Sequence, residues 1–265
     1  MLIQSPHDPA FVQNPYAVYD KARAEGPVLF WQDYEMLAAF DHATVHALLR
    51  DKRLGRAVPP SRQTAIPDHL KAFRAVEQHS LLELEPPAHT RLRRLVLHAF
   101  TSRRTAALAP DIHAICADLL AQLPKAPFDL IPTFCQMVPV RVIARLLGVP
   151  EDLAPDLLRW SSAMVAMYQA GRTRRVEDAA NTAAAEFTDF LRSYIEKRRT
   201  APADDMISEL IAAQDGAQRL SPDEMIGTCI LLLNAGHEAT VHSLGNAVKC
   251  LVETGNASAL GPEQI

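Results

Sequence analysis

The chain has 265 residues, 48% of them hydrophobic and 22% charged, with a formal net charge of −4. That balance excludes a disordered chain, and so weak a charge leaves no footprint for nucleic acid or an anionic membrane. The N-terminus MLIQSPHDPAFVQNPY lacks a basic start followed by an apolar run, and no stretch reaches ~18 uninterrupted apolar residues; the chain therefore reads as one cytoplasmic domain over residues 1–265, without a membrane span.

In chain order, Asn14-Pro15 opens a helix that runs to Glu25 and ends at Gly26-Pro27. Val28 to Trp31 and Glu35 to Phe40 are short, apolar and joined by a polar turn, which predicts a hairpin. Asp41 caps a helix to Arg50, and Leu54 to Ile66, with two adjacent prolines, reads as a loop. Helical periodicity follows at Pro87 to Phe100, Arg104 to Leu123, Ile131 to Leu147, Leu153 to Tyr168, Val176 to Arg199 and Asp205 to Ala213. The basic clusters Arg172 to Arg175 and Lys197 to Arg199 read as solvated helix ends, where cations complement the helix dipole. Ser221-Pro222-Asp223-Glu224 is a capping box with proline at the first helical position. The helix it opens continues to Thr254-Gly255, about 34 residues or roughly 50 Å. So long and apolar a helix is expected to run through the middle of the domain. The fold class is mainly α with a small β-hairpin or sheet.

The four cysteines, Cys116, Cys135, Cys229 and Cys250, are widely spaced without a C-x-x-C pair and read as reduced, buried thiols. Within the long helix, Ala235, Gly236, Ala239, Thr240, Ser243 and Ala247 fall on one narrow strip of small residues, flanked by leucines. Such a strip suits either a flat ligand against the backbone or close helix packing. Glu238 lies off the strip, and Thr240 can bond the carbonyl four residues back, which favours a local kink. An acid beside an alcohol at a groove can relay protons; the plain alternative for Glu238 is a structural salt bridge. His237 and His242 are five apart, about 140° out of line, so they do not form the zinc pair that needs a spacing of four. His42 and His46 have that spacing but read as a surface pair. In LEPPAHTRLRRLVLHAFTSRR, His89 and Arg93 share a helix face and suit a carboxylate or phosphate; the alternative is ordinary helix surface.

Taken together, H-T-R-L-R with its following Phe-Thr pair, A-G-H-E-A-T, and the opening N-P-Y-A-V-Y-D-K-A-R-A-E-G-P-V resemble the bacterial soluble cytochromes P450, over roughly the first two-thirds of that fold. The resemblance implies a haem-thiolate monooxygenase acting on a small apolar substrate with O2, fed by a ferredoxin- or flavodoxin-type electron donor. It implies haem b as cofactor, with His89 and Arg93 on the propionates. Ala235, Gly236, Ala239 and Thr240 would line the oxygen-binding face, and Glu238 would serve proton delivery. Leu54 to Ser80 and Leu153 to Arg199 would cover the substrate pocket. Two features depart from the family pattern. Ala239 stands where the alcohol normally follows the acid, and Thr240 arrives one residue later, ~100° round the helix. No cysteine fits F-x-x-G-x-x-x-C-x-G, the loop that supplies the thiolate ligand. Glu196 and Arg199 match the letters of the family's E-x-x-R pair but precede the long helix. The expectation is a P450-like fold truncated after its central helix, near Gly261-Pro262-Glu263-Gln264-Ile265. The alternatives to an enzyme are a non-catalytic remnant and a fragment completed by another chain.

Overall fold

The computed structural model describes residues 1–215 and 218–255. The terminal stretch Gly261-Pro262-Glu263-Gln264-Ile265 lies outside them. The chain divides into two compact units, one ending at Arg56 and the other starting at Ala57.

In the first unit, Asp8 caps a short helix α1 (Pro9–Gln13), for which the sequence pattern gave no expectation, and α2 spans Tyr16–Glu25. Strands β1 (Val28–Trp31) and β2 (Met36–Ala39) pair antiparallel, Val28 opposite Ala39 and Trp31 opposite Met36. Glu35 takes a left-handed conformation in the turn between them. Asp41 caps α3 (His42–Arg50) by accepting from the Thr44 amide at 2.8 Å. Phe11, Ala22 and Trp31 form the buried centre.

The second unit is helical. A helix α4 (Lys71–Glu77) stands in the stretch before Pro87 for which no helix was predicted. Then come α5 (Ala88–Ala99), α6 (Ser102–Ala107) and α7 (Ala109–Ala121). The single helix expected from Arg104 to Leu123 is thus two, with Pro110 in the first turn of the second, where its missing N–H costs nothing. A π-turn at Ile131–Cys135 leads into α8 (Met137–Leu147), followed by α9 (Ala154–Val165) and α10 (Arg174–Thr200). Asp205 caps α11 (Met206–Ala212), and two-residue strands β3 (Gln214–Asp215) and β4 (Gln218–Arg219) precede α12 (Pro222–Glu253). The predicted capping box of α12 forms: the Ser221 amide donates to Glu224 at 2.9 Å and the Glu224 amide to the Ser221 hydroxyl at 3.2 Å.

The core joins α4, α5, α8, α9, α10, α11 and the first half of α12 through side chains such as Phe73, Leu95, Leu147, Leu157, Phe187, Leu210 and Ile230. α12 enters the core, as expected, over its first part. Its buried residues run from Met225 to Val241, and beyond them Val248 and Val252 are exposed. Basic clusters differ from expectation. Arg174 opens α10, at the end where the dipole disfavours cations, and is held there by Asp178 at 2.8 Å; Arg172 pairs with Glu177 at 3.2 Å. Arg198 is not solvated: it lies 2.7 Å from buried Asp205 and donates to the Gly148 carbonyl at 2.9 Å. Glu196 and Arg199 form an exposed pair within α10 at 3.0 Å. The cysteines are all free, but only Cys135 and Cys229 are buried; Cys116 is half-buried and Cys250 exposed. Burial pushes the Cys229 thiol up to about 12.

Candidate functional site

The amphipathic pattern of α5 turns Leu92, Leu95, Val96 and Ala99 into the core. That orientation leaves His89 and Arg93, one turn apart, on an adjoining face. Both line a cavity of about 570 Å³ whose opposite wall is Leu231, Leu232, Ala235 and Gly236 of α12. Leu97 and Phe100 of α5, Ile143 and Leu146 of α8, and Leu81 and Leu82 before α5 complete an apolar lining. The sequence did not single out the residues from the other segments, because nothing local marks which leucine of a core helix borders a cavity.

α5 is also tied to α12 by Arg91, which pairs with Glu224 of the capping box. Burial raises the Glu224 carboxyl, but the Ser221 amide and Arg91 outweigh it and hold it below the usual carboxylate range. Arg104, Arg141 and Arg145 are likewise met by acids. Among the described residues, by contrast, His89 and Arg93 have no side-chain partner. An unpaired guanidinium and an imidazole beside an apolar cavity are a site for the carboxylate of an otherwise apolar molecule.

The strip of small residues divides. Ala235 and Gly236 line the cavity; Ala239 and Thr240 do not, nor does Glu238 beside the strip. Gly236 also admits α8, since a Cβ there would stand 2.9 Å from Ile143 Cδ1, and a Cβ on Gly245 would stand 2.6 Å from Ile131 Cδ1. Close packing therefore accounts for the glycines, while Ala235 opens onto the cavity. The Thr240 hydroxyl donates to the Gly236 carbonyl at 2.8 Å, as its position predicted, and α12 runs unbroken through this turn. Glu238 is half-buried and pairs with exposed His242 at 3.8 Å. His237 is buried on another side of α12, apart from His242, and burial holds its imidazole below the ordinary histidine range. His42 and His46 stack on the surface of α3 with ring centroids 5.7 Å apart.

The residues present fit part of a haem. A flat apolar ring with acidic substituents matches an apolar cavity bordered by two unpaired cationic or polar donors and by residues small enough for backbone approach. A thiolate for its iron is not among them: none of the four cysteines lines the cavity.

No family model matches the chain. It is 37% identical over 246 residues to a vitamin D(3) 25-hydroxylase of Pseudonocardia autotrophica, covering 91% of this chain and 59% of that protein. It is 34% identical over 242 residues to the 6-deoxyerythronolide B hydroxylase of Saccharopolyspora erythraea, covering 87% and 58%. Its fold superposes with a TM-score of 0.84 on the crystal structure of P450BioI in complex with an acyl carrier protein ligated to hexadec-9Z-enoic acid, at 29% identity over 94% of this chain and 64% of that one. The chain thus spans about three-fifths of the length of these relatives. Over that shared length it belongs to the bacterial cytochrome P450 family.

Proposed function

We propose that this chain carries the oxygen-side wall and the carboxylate-binding edge of a P450-type haem site, for monooxygenation of a small apolar organic substrate in the cytoplasm. The observation that supports this most is the shared cavity: unpaired His89 and Arg93 on one wall, Ala235 and Gly236 on the other. His89 and Arg93 would hold the haem propionates through charge-assisted hydrogen bonds. Ala235 and Gly236 would let the ring and a small diatomic ligand approach the α12 backbone, with Ala239 further along the same helix. Glu238, close to solvent and to His242, would hold the proton for delivery. Thr240 would contribute a hydroxyl whose hydrogen is engaged by the Gly236 carbonyl. Bound haem would supply the activation of O2, with electrons from a ferredoxin- or flavodoxin-type donor.

The positions of the cysteines favour a second reading for the chain on its own: a non-catalytic protein, or one completed by another polypeptide that brings the thiolate. A carbon monoxide difference spectrum separates these cases. Haem-loaded, reduced chain should bind carbon monoxide without a thiolate signature. The signature should emerge on co-expression with a polypeptide bearing F-x-x-G-x-x-x-C-x-G, if a second chain completes the site. A thiolate signature from these 265 residues alone would overturn the assignment of the cysteines, and no carbon monoxide complex under any condition would overturn the haem reading.

A further inference from the structure

Among the buried polar side chains of α12, two that the cavity does not use keep an atom without a partner. Asn234 is 8% exposed and His237 3%. Asn234 Oδ1 and His237 Nε2 have no hydrogen-bond partner among the described residues. Three residues apart, they share a helix face with Cβ atoms about 5–6 Å from one another. Neither lines the cavity beside Gly236. The imidazole instead meets the main chain of Gln136, the residue that joins the π-turn to α8.

We propose that His237, buried beside Asn234, is an acid-sensitive lock between the middle of α12 and the π-turn, closed while its imidazole is neutral and opened when it takes a proton. Among the described residues, the surroundings offer an imidazolium no compensating acid. On α12, Glu238 is directed to His242, and His242 itself repels a charge on His237. In the π-turn, the Cys135 thiol is pushed up by burial and stays uncharged. Asp129, ahead of the turn, accepts from the Ile131 amide at 2.9 Å. The charged groups of α8, Arg141 and Arg145, are taken by Asp118, Asp111 and Glu151. Gln136 also caps α8, and a helix N-terminus disfavours a nearby cation.

Burial is the main cause that lowers His237's affinity for a proton; His242 adds to it and the Gln136 main-chain hydrogen bond opposes it. The sign follows by linkage. A histidine held below its unfolded value, about 6.5, leaves stability intact above that pH. As pH falls below it, the unfolded or locally opened chain binds the proton more readily, and the lock weakens. Because His237 sits between Gly236 and Glu238, its release loosens the α12 wall against Ile143.

The test is hydrogen exchange of the full-length chain at pH 8 and pH 5, corrected for intrinsic rates, with direct NMR titration of the His237 ring. Protection of the α12 amides from Leu231 to Val241 should be lower at pH 5 than at pH 8, because the closed lock binds the proton more weakly than the open chain. His237→Leu should keep the protection at pH 8 and lose the acid step. If that variant does not fold, His237→Gln and the ring titration of the wild type decide. An acid step that persists without His237, or a ring that titrates at the ordinary histidine value, would overturn the proposal.

Discussion

Gly236 and Ile143 meet so closely that a Cβ on the glycine would stand 2.9 Å from the isoleucine's terminal carbon. This contact seats α12 on α8 at the turn that also borders the cavity. Gly236→Ala should change stability by less than about 1 kcal/mol, because the helix propensity gained offsets a clash that a flexible side-chain end can relieve. Gly236→Val should cost about 1–3 kcal/mol, since a branched side chain overfills the contact. Chemical denaturation of both variants checks this; equal stability of all three proteins would mean that the glycine is not needed for packing.

Gly148 is a more demanding position. It ends α8 with φ +84°, and a Cβ there would overlap the Asp205 carboxylate, which is fixed by Arg198. Neither the left-handed backbone nor the buried neighbour can yield easily. Gly148→Ala should destabilise the chain by roughly 3 kcal/mol in urea unfolding.

The Arg91–Glu224 pair fixes α5 to α12 and has a definite pH signature. Glu224 is held below the usual carboxylate range, so its contribution is present above the unfolded value near 4.5 and is lost as pH falls through the lower folded value. Glu224→Gln should therefore be less stable than wild type at pH 7, and the two melting temperatures should converge toward pH 3. A constant gap across that range would show that the carboxylate charge is not what matters.

The cysteines should separate by reactivity. Exposed Cys250 should react with a thiol reagent in the native chain, whereas Cys229, fully buried and pushed up to about 12, should react only after unfolding. Counting reactive thiols before and after denaturation checks this.

What could be read from the sequence depended on where each element finds its partners. Helices α3, α11 and α12 carry their own caps, Asp41, Asp205 and Ser221, and their starts were legible in the residues. Helix α4 was not. Its first amides, Ala72 and Phe73, donate to Asn181 of α10 at 2.8 and 3.1 Å, and His69 just before it meets Glu177 at 2.8 Å. A seven-residue helix capped from over 100 residues away leaves no local signal. The site divides in the same way. His89 and Arg93 were legible as a pair because a spacing of four puts them on one helix face, and Ala235 and Gly236 as part of a strip of small residues that recurs along α12. The apolar lining from Leu81, Leu82, Ile143 and Leu146 arises only when the segment before α5 and helix α8 come together. The far end of α12, where Val248 and Val252 are exposed, shows the related limit that an apolar pattern says which side could be buried, not what lies against it.

The central claim is that His89 and Arg93 receive the carboxylates of a haem whose ring lies against Ala235 and Gly236. The most direct measurement is a haem titration of the full-length chain, followed by absorbance, against His89→Ala and Arg93→Ala. Loss of one charge-assisted hydrogen bond is worth about 1.5–3 kcal/mol, so each variant should bind haem roughly 10- to 100-fold more weakly while keeping its far-ultraviolet circular dichroism. Unchanged affinity in both variants, or no saturable uptake by the wild type, would contradict it.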